Sequence, residues 1–210
     1  MSGIVIDLQQ QALSNEIDVL VLLRKAYLVA RKLGLKEFEE WVSNEQNGYR
    51  TLDVPTYRVV RGEVKAWNPY HGWIPVIFDY ESGLTEHKVT DSLANIVELT
   101  KNSNKGECIV NFPPEINNIL SKSAPFQTKY SLQISKNHLY NIIEQVRNKI
   151  LDWAITLEEN GIIGENLKFS DDEKKIAKEN SVINNYTNNF YSSVSDTQIQ
   201  QDTSDSHQRC

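Results

Sequence analysis

Glu45, Asn47, Gly48 and Tyr49, followed a few residues later by Tyr57 and Arg58, put a carboxylate, an amide, two phenols and a guanidinium into one short stretch. Converging on a ligand, such groups could move a proton through the carboxylate or a phenol while the guanidinium held an anion. His71 and Trp73, in the run Asn68-Pro69-Tyr70-His71-Gly72-Trp73, add an imidazole and an indole in a glycine-containing loop. There the imidazole would need a carboxylate such as Asp79 or Glu81 to orient it as a base. Glu45, Asn47, Gly48, Tyr49, Tyr57, Arg58, His71 and Trp73 together make up the candidate functional surface. Each also has a purely structural reading. Asn47-Gly48 ends a helix, Tyr49 covers that end, and Arg58 pairs with Glu45 or a nearby carbonyl. A loop histidine with no accompanying nucleophile simply faces water. The structural reading is favoured, and the stretch is still the best candidate site.

The signatures of well-defined enzyme chemistry are missing: the sequence has no glycine-rich phosphate loop, no HExxH, no GxSxG and no CxxC. His87, His138 and His207 stand isolated in their segments, so no metal site is expected, and no cofactor is implied. Cys108, inside the apolar run Cys108-Ile109-Val110, reads as a small core residue, and Cys210 stands alone at the far end, so neither a disulfide scaffold nor a zinc site is signalled. On the long helix near residue 147, Glu144 lies one helical turn before Arg147, an ordinary helix contact, while Glu158 and Glu159 are adjacent and point apart.

A formal net charge of -6 over 210 residues opposes unassisted binding to a phosphate backbone, so nucleic acid is not indicated as a partner. Arg24-Lys25 with Arg31-Lys32 is the nearest approach to a basic patch, and it reads as a solvated helix face. No apolar stretch is long enough to span a bilayer and the start has no signal-peptide pattern, which leads to the expectation of a cytoplasmic protein that does not engage a membrane. With 40% apolar residues the chain can bury one substantial core, giving one domain over residues 1–180. Residues 181–210, rich in Asn, Ser, Thr, Gln and Asp, are expected to be a polar tail, disordered or self-associating through aromatics spaced among amides such as Asn184-Asn185-Tyr186 and Phe190-Tyr191. That tail is the expected route to a homo-oligomer.

The elements that must position the candidate residues can be read in order. A short helix near Ile4 to Leu13 precedes a second, capped by Ser14 or Asn15 and ending at Leu33-Gly34, and a third from Lys36 to about Gln46, with the last two antiparallel. From Pro55 the composition turns to β-branched and aromatic residues, predicting strands at Tyr57 to Trp67 and Trp73 to Tyr80 joined by a loop. A helix from Leu93 to about Leu99 begins at Asp91 or Ser92. It is followed by a strand at Glu107 to Phe112, a short helix opened by Pro113-Pro114, and a strand at Phe126 to Ile134. Ile142, Val146, Ile150, Trp153 and Leu157 recur at helical spacing behind the N-cap Ser135, and Gly161 follows as the left-handed stop. Ser170-Asp171-Asp172-Glu173 fits a capping box for a final helix to about Lys178. The fold class is therefore α+β, helices packed on a small, mainly antiparallel sheet, with a polar C-terminal tail.

Leu22-Leu23-Arg24-Lys25-Ala26, Trp41 to Glu45 with Asn47-Gly48-Tyr49, Pro55-Thr56-Tyr57-Arg58 and Gly72-Trp73-Ile74-Pro75-Val76 form one motif block. Val146-Arg147-Asn148, Leu151-Asp152-Trp153-Ala154, Gly161-Ile162-Ile163-Gly164-Glu165 and Phe169-Ser170 with Glu173-Lys174 form a second. In this order, over most of residues 4–178, they resemble the AbiTii domain family of bacterial abortive-infection proteins. The resemblance implies antiphage defence, by an effector or interaction module and with a possible partner protein from a defence system. The alternative it leaves open is a toxin enzyme, such as a nuclease or nucleotide-processing enzyme, or an adaptor for a separate effector. Gln198-Ile199-Gln200-Gln201-Asp202-Thr203 is similar to a segment that follows this domain, with Asp202 where glycine is expected, so the chain is read as a minimal or truncated form.

Overall fold

The long helix α6, Lys136–Glu159, is the axis on which the other elements assemble. Ser135 caps it by accepting from the Asn137 N–H, and its stripe of Ile142, Val146, Ile150, Trp153 and Leu157 is fully buried. Against it lie α1 (Ile4–Leu13), α2 (Val19–Leu33) and α3 (Lys36–Asn47), the last two folded back on each other through Gly34 at φ 76. Phe38 of α3 stacks on Trp153 of α6 at 3.7 Å between ring centroids, fixing the crossing with a broad aromatic contact. This computed structural model describes residues 3–77, 83–102, 106–122 and 127–191.

The β elements are β1 (Val59–Arg61), β2 (Glu63–Asn68), β3 (Gly72–Pro75), β4 (Glu86–Lys88), β5 (Glu107–Asn111) and β6 (Tyr130–Ser135). A four-stranded antiparallel sheet runs in the order β3-β2-β6-β5, and β1 pairs with β4 in a separate antiparallel pair. Val64, Ala66, Leu132 and Ile134 face the helices and belong to the core, together with Leu93 and Ile96 of α4 (Leu93–Asn102). Helix α5 (Pro114–Lys122) is tied to the sheet where Asn117 Oδ1 accepts from the Tyr130 N–H at 2.8 Å.

The α+β class and the antiparallel sheet agree with the sequence, while several boundaries move. The single strand expected from Tyr57 to Trp67 is a 3-10 turn at Thr56–Arg58 followed by two strands in different sheets. They part at Gly62, where a Cβ would lie 2.7 Å from the Gln133 carbonyl oxygen, so β2 and β6 can approach only if this residue has no side chain. The next strand is confined to Gly72–Pro75; the part of the expected strand at 78–80 lies outside the described residues. β6 starts at Tyr130 rather than Phe126, which is itself outside them. Asp18, not Ser14 or Asn15, caps α2, its carboxylate accepting from the Leu20 N–H at 2.8 Å. Ser14 and Ile17 instead offer their carbonyls to the buried Arg147 guanidinium at 3.1 and 2.9 Å, which holds the α1–α2 loop onto α6.

The packed unit also runs past residue 180, into the segment assigned above to a polar tail. Helix α7 (Asp171–Glu179) leads into α8 (Ser181–Asn184) and a 3-10 turn at Tyr186–Phe190, and both Ile183 and Phe190 enter the core. A few apolar residues suffice because Phe190 meets Trp41 edge-on at 5.2 Å and Tyr186 at 5.5 Å, while Thr56 donates to the Phe190 carbonyl. The Gln198-to-Thr203 motif and the rest of the expected tail from residue 192 lie outside the described residues.

Candidate functional site

Trp41 and Glu45, one turn apart in the second half of α3, point inward from one face, and Gly48 then redirects the chain. Gly48 has φ 88, and its position is crowded as well as left-handed: a Cβ there would lie 2.9 Å from the Thr90 carbonyl oxygen. The next residue, Tyr49, donates its backbone N–H to that same carbonyl at 2.8 Å, so the end of α3 is stitched to the segment before α4. The 3-10 turn at Thr56–Arg58 supplies Tyr57 and Arg58 from the other side.

These residues close around the Glu45 carboxylate. Its Oε1 accepts from the Tyr49 hydroxyl at 2.8 Å, the Tyr57 hydroxyl at 2.7 Å and Arg58 Nε at 2.9 Å. Its Oε2 accepts from Arg58 Nη2 at 2.5 Å, completing a two-pronged ion pair in which both side chains are 0% exposed. Arg58 Nη1 donates to the carbonyls of Val89 and Asp91, and the guanidinium lies 4.8 Å from the Tyr49 ring centroid. Trp41 Nε1 donates to the Tyr57 hydroxyl at 2.8 Å. Lys149 of α6 sits over the Phe190 ring at 3.8 Å and the Tyr57 ring at 5.3 Å.

The electrostatics follow from burial next to a fixed negative charge. Burial, then the Glu45 charge, pushes the Tyr57 and Tyr49 hydroxyls well above the usual phenol range, so both remain donors. Burial alone would lower the Arg58 pKa, but the adjacent carboxylate outweighs it and raises it. Burial lowers the Lys149 pKa against the pull of Asp152 and Glu45. With four donors on two oxygens and no exposure, Glu45 cannot reach a substrate in this conformation.

The candidate surface thus separates into parts. Glu45, Tyr49, Tyr57 and Arg58 do come together, but as an interior network; they are not a surface, because the ion pair is covered by the elements it joins. Asn47 stays outside, its side-chain N–H donating to the Ser43 carbonyl at 2.8 Å, and Gly48 serves as the turn. His71 and Trp73 belong to the β2–β3 hairpin. His71 is exposed with its backbone N–H on Asn68 Oδ1, and Trp73 packs edge-on with Trp67 at 5.5 Å. Cys108 is half-buried in β5, and burial raises its thiol pKa, the reverse of an activated nucleophile. Among the described residues no group of three or more His, Cys, Asp or Glu side chains could hold a metal ion, and no helix is long and apolar enough to cross a membrane.

What the sequence did not reveal is an open cleft of about 450 Å³ against the outer side of this network. Helix α3 contributes Glu37, Glu40, Trp41 and Asn44. The loop after Gly48 contributes Tyr49, Arg50, Thr51 and Asp53, and the C-terminal segment closes the third side with Thr187, Asn188 and Tyr191. Glu37 and Glu40, one helical turn apart on the polar face of α3, were the available signal. Their meeting with residues 187–191 depends on long-range packing that no local pattern encodes.

Comparison with curated proteins and with solved structures yields no match. The family model described as AbiTii matches residues 3–182, most of the chain, and the protein belongs to that family.

Proposed function

We propose that this protein is a cytoplasmic component of bacterial antiphage defence, of the abortive-infection type, acting as an effector or interaction module that recognises another molecule. The family match over residues 3–182 carries this reading. The saturated, buried state of Glu45 and Arg58 supports a role in recognition over proton transfer by these residues, since both are committed to holding α3, the Thr56–Arg58 turn and the Val89–Asp91 segment together. Recognition then falls to the exposed groups around the network. Expression in a phage-sensitive bacterial host, followed by plaque counts across a broad phage panel, tests the reading: reduced plating of at least some phages is expected, and unchanged plating throughout overturns it. Self-association through the C-terminal tail belongs to the same proposal. Its test is the mass in solution of the full chain and of a chain ending at Tyr191, since a cut at residue 181 would also remove the core residues Ile183 and Phe190. Identical monomers remove the oligomer.

A further inference from the structure

We infer that the cleft between α3, the Gly48–Asp53 loop and the C-terminal segment is a binding site for a positively charged side chain, arginine or lysine, presented by a partner protein. This deepens the proposal above, on which its biological role rests, by naming the chemistry of what is recognised.

Charge is the first argument. Three carboxylates, Glu37, Glu40 and Asp53, face one guanidinium, Arg50, a formal surplus of two negative charges around a concave surface. All four side chains are exposed, and none of the four is in an ion pair with another described residue. The fold thus leaves these carboxylates uncommitted where elsewhere it commits them: Glu39, next to Glu40, holds Arg31 and Tyr27. A concave wall of one charge sign concentrates ligands of the other.

The walls supply the second argument. Tyr49 and Trp41 form a buried aromatic floor and Tyr191 an exposed flank, surfaces against which a guanidinium or an alkyl-ammonium stem packs well. Lys149 over Phe190, which is not itself a cleft residue, shows this same segment already accepting a cation on an aromatic face. Thr187 is the third: it lines the cleft, is only 6% exposed, and its hydroxyl makes no hydrogen bond to another described residue. Its hydroxyl is not among the fully enclosed unpartnered atoms, so an otherwise buried side chain opens its polar atom onto the cleft and offers a ligand one polar contact point. A cleft of about 450 Å³ falls within the size range of ligand pockets. Phosphate-bearing ligands are disfavoured by the same carboxylates.

The test is calorimetric titration of the full chain with a capped peptide containing two arginines, with the same peptide carrying glutamines in their place, and with spermidine. Saturable binding of the arginine peptide is expected, falling as salt rises and weakening about tenfold in the Glu37→Gln/Glu40→Gln/Asp53→Asn variant. Because these carboxylates are exposed and outside any ion pair, the variant should stay folded and lose at most about 1 kcal/mol in urea unfolding, the contribution of Glu37 to the first turn of α3. Thr187→Val should weaken the same complex without altering its salt dependence. Absence of arginine-peptide binding, equal binding of the glutamine peptide, or binding unchanged in the triple variant each overturns the site. Binding of spermidine with the peptide ignored overturns its assignment to a partner protein. Plaque counts separate the two proposals: a parent that binds the peptide but never reduces plating refutes the defence role and leaves the site standing. A triple variant that loses the peptide yet protects fully refutes the link between them.

Discussion

Glu45 and Arg58 gain no stability merely by being an ion pair, since taking both charges out of water costs several kcal/mol per ion before their attraction and hydrogen bonds offset it. What makes them consequential is saturation: the carboxylate has four donors, and the guanidinium reaches the Val89 and Asp91 carbonyls besides. Removing one partner leaves the other buried and uncompensated. Arg58→Ala is therefore expected to cost about 3–5 kcal/mol in urea unfolding. A loss below about 1 kcal/mol would mean that the network is open to water. Gly48→Ala probes the same junction through the backbone. At φ 88 and ψ 160, a combination essentially confined to glycine, and with the Thr90 oxygen 2.9 Å from the new Cβ, backbone strain of about 1–3 kcal/mol adds to a steric conflict, so the unfolding midpoint should fall clearly. An unchanged midpoint would contradict the close approach of α3 to the segment before α4. The Glu45–Arg58 pairing was readable in advance, because the two residues flank one loop and the alternatives were few. The carbonyls of Val89 and Asp91 were not, since a backbone acceptor leaves no mark on the residue type that carries it.

At the level of elements, what was legible was what is local. Ser135, Ser170, Gly34 and Gly161 terminate helices through contacts within a turn or two, and each does so in the structure. Gly62 was opaque because the atom it must avoid, the Gln133 oxygen, comes from a distant strand. The capping box of α7 shows how a local motif can acquire a long-range role. Glu173 Oε2 accepts from the Ser170 N–H, as the motif requires, while Oε1 accepts from the Ile163 and Gly164 N–H groups at 2.8 and 2.9 Å. The carbonyls of those two residues in turn accept from Val5 and Ile4 at the start of α1, so one carboxylate links α7, the loop after α6 and the first helix. Burial would raise the Glu173 pKa, but the hydrogen bonds from Gly164, Ser170 and Ile163 outweigh it and leave it lowered. A carboxylate with a depressed folded-state pKa stabilises the fold fully above its unfolded value, and that contribution is lost as pH falls through the folded value. Unfolding free energy measured from neutral pH into the acid range should thus decline in part through Glu173, and Glu173→Gln should be less stable near neutrality with a shallower decline. Parallel pH profiles for the two proteins would show that this carboxylate is not the linkage point.

For the molecule as a whole, the decisive question is where the domain ends. Composition places a boundary near residue 180, and the family match stops at 182, yet the packing continues to Tyr191. Polar composition misleads here because Asn, Ser and Thr dominate the segment while Ile183 and Phe190, spaced to turn inward from α8 and the following 3-10 turn, do the burying. Phe190 is 3% exposed, covers Trp41 and lies under Lys149, so it roofs the same network that Glu45 centres. Truncating a buried phenylalanine costs about 3–5 kcal/mol, a large share of the roughly 5–15 kcal/mol that holds a domain folded. Phe190→Ala is expected to lose that much. A chain ending at residue 182 should lose more than the point variant, because Ile183 goes with it and the Trp41 face is opened to water. Against a reference chain ending at Tyr191, the shorter protein should show a lower urea midpoint and a red-shifted tryptophan emission in its folded baseline. Equal midpoints and emission for the two chains would place the true edge of the core before α8 and would take away the third wall of the cleft along with it.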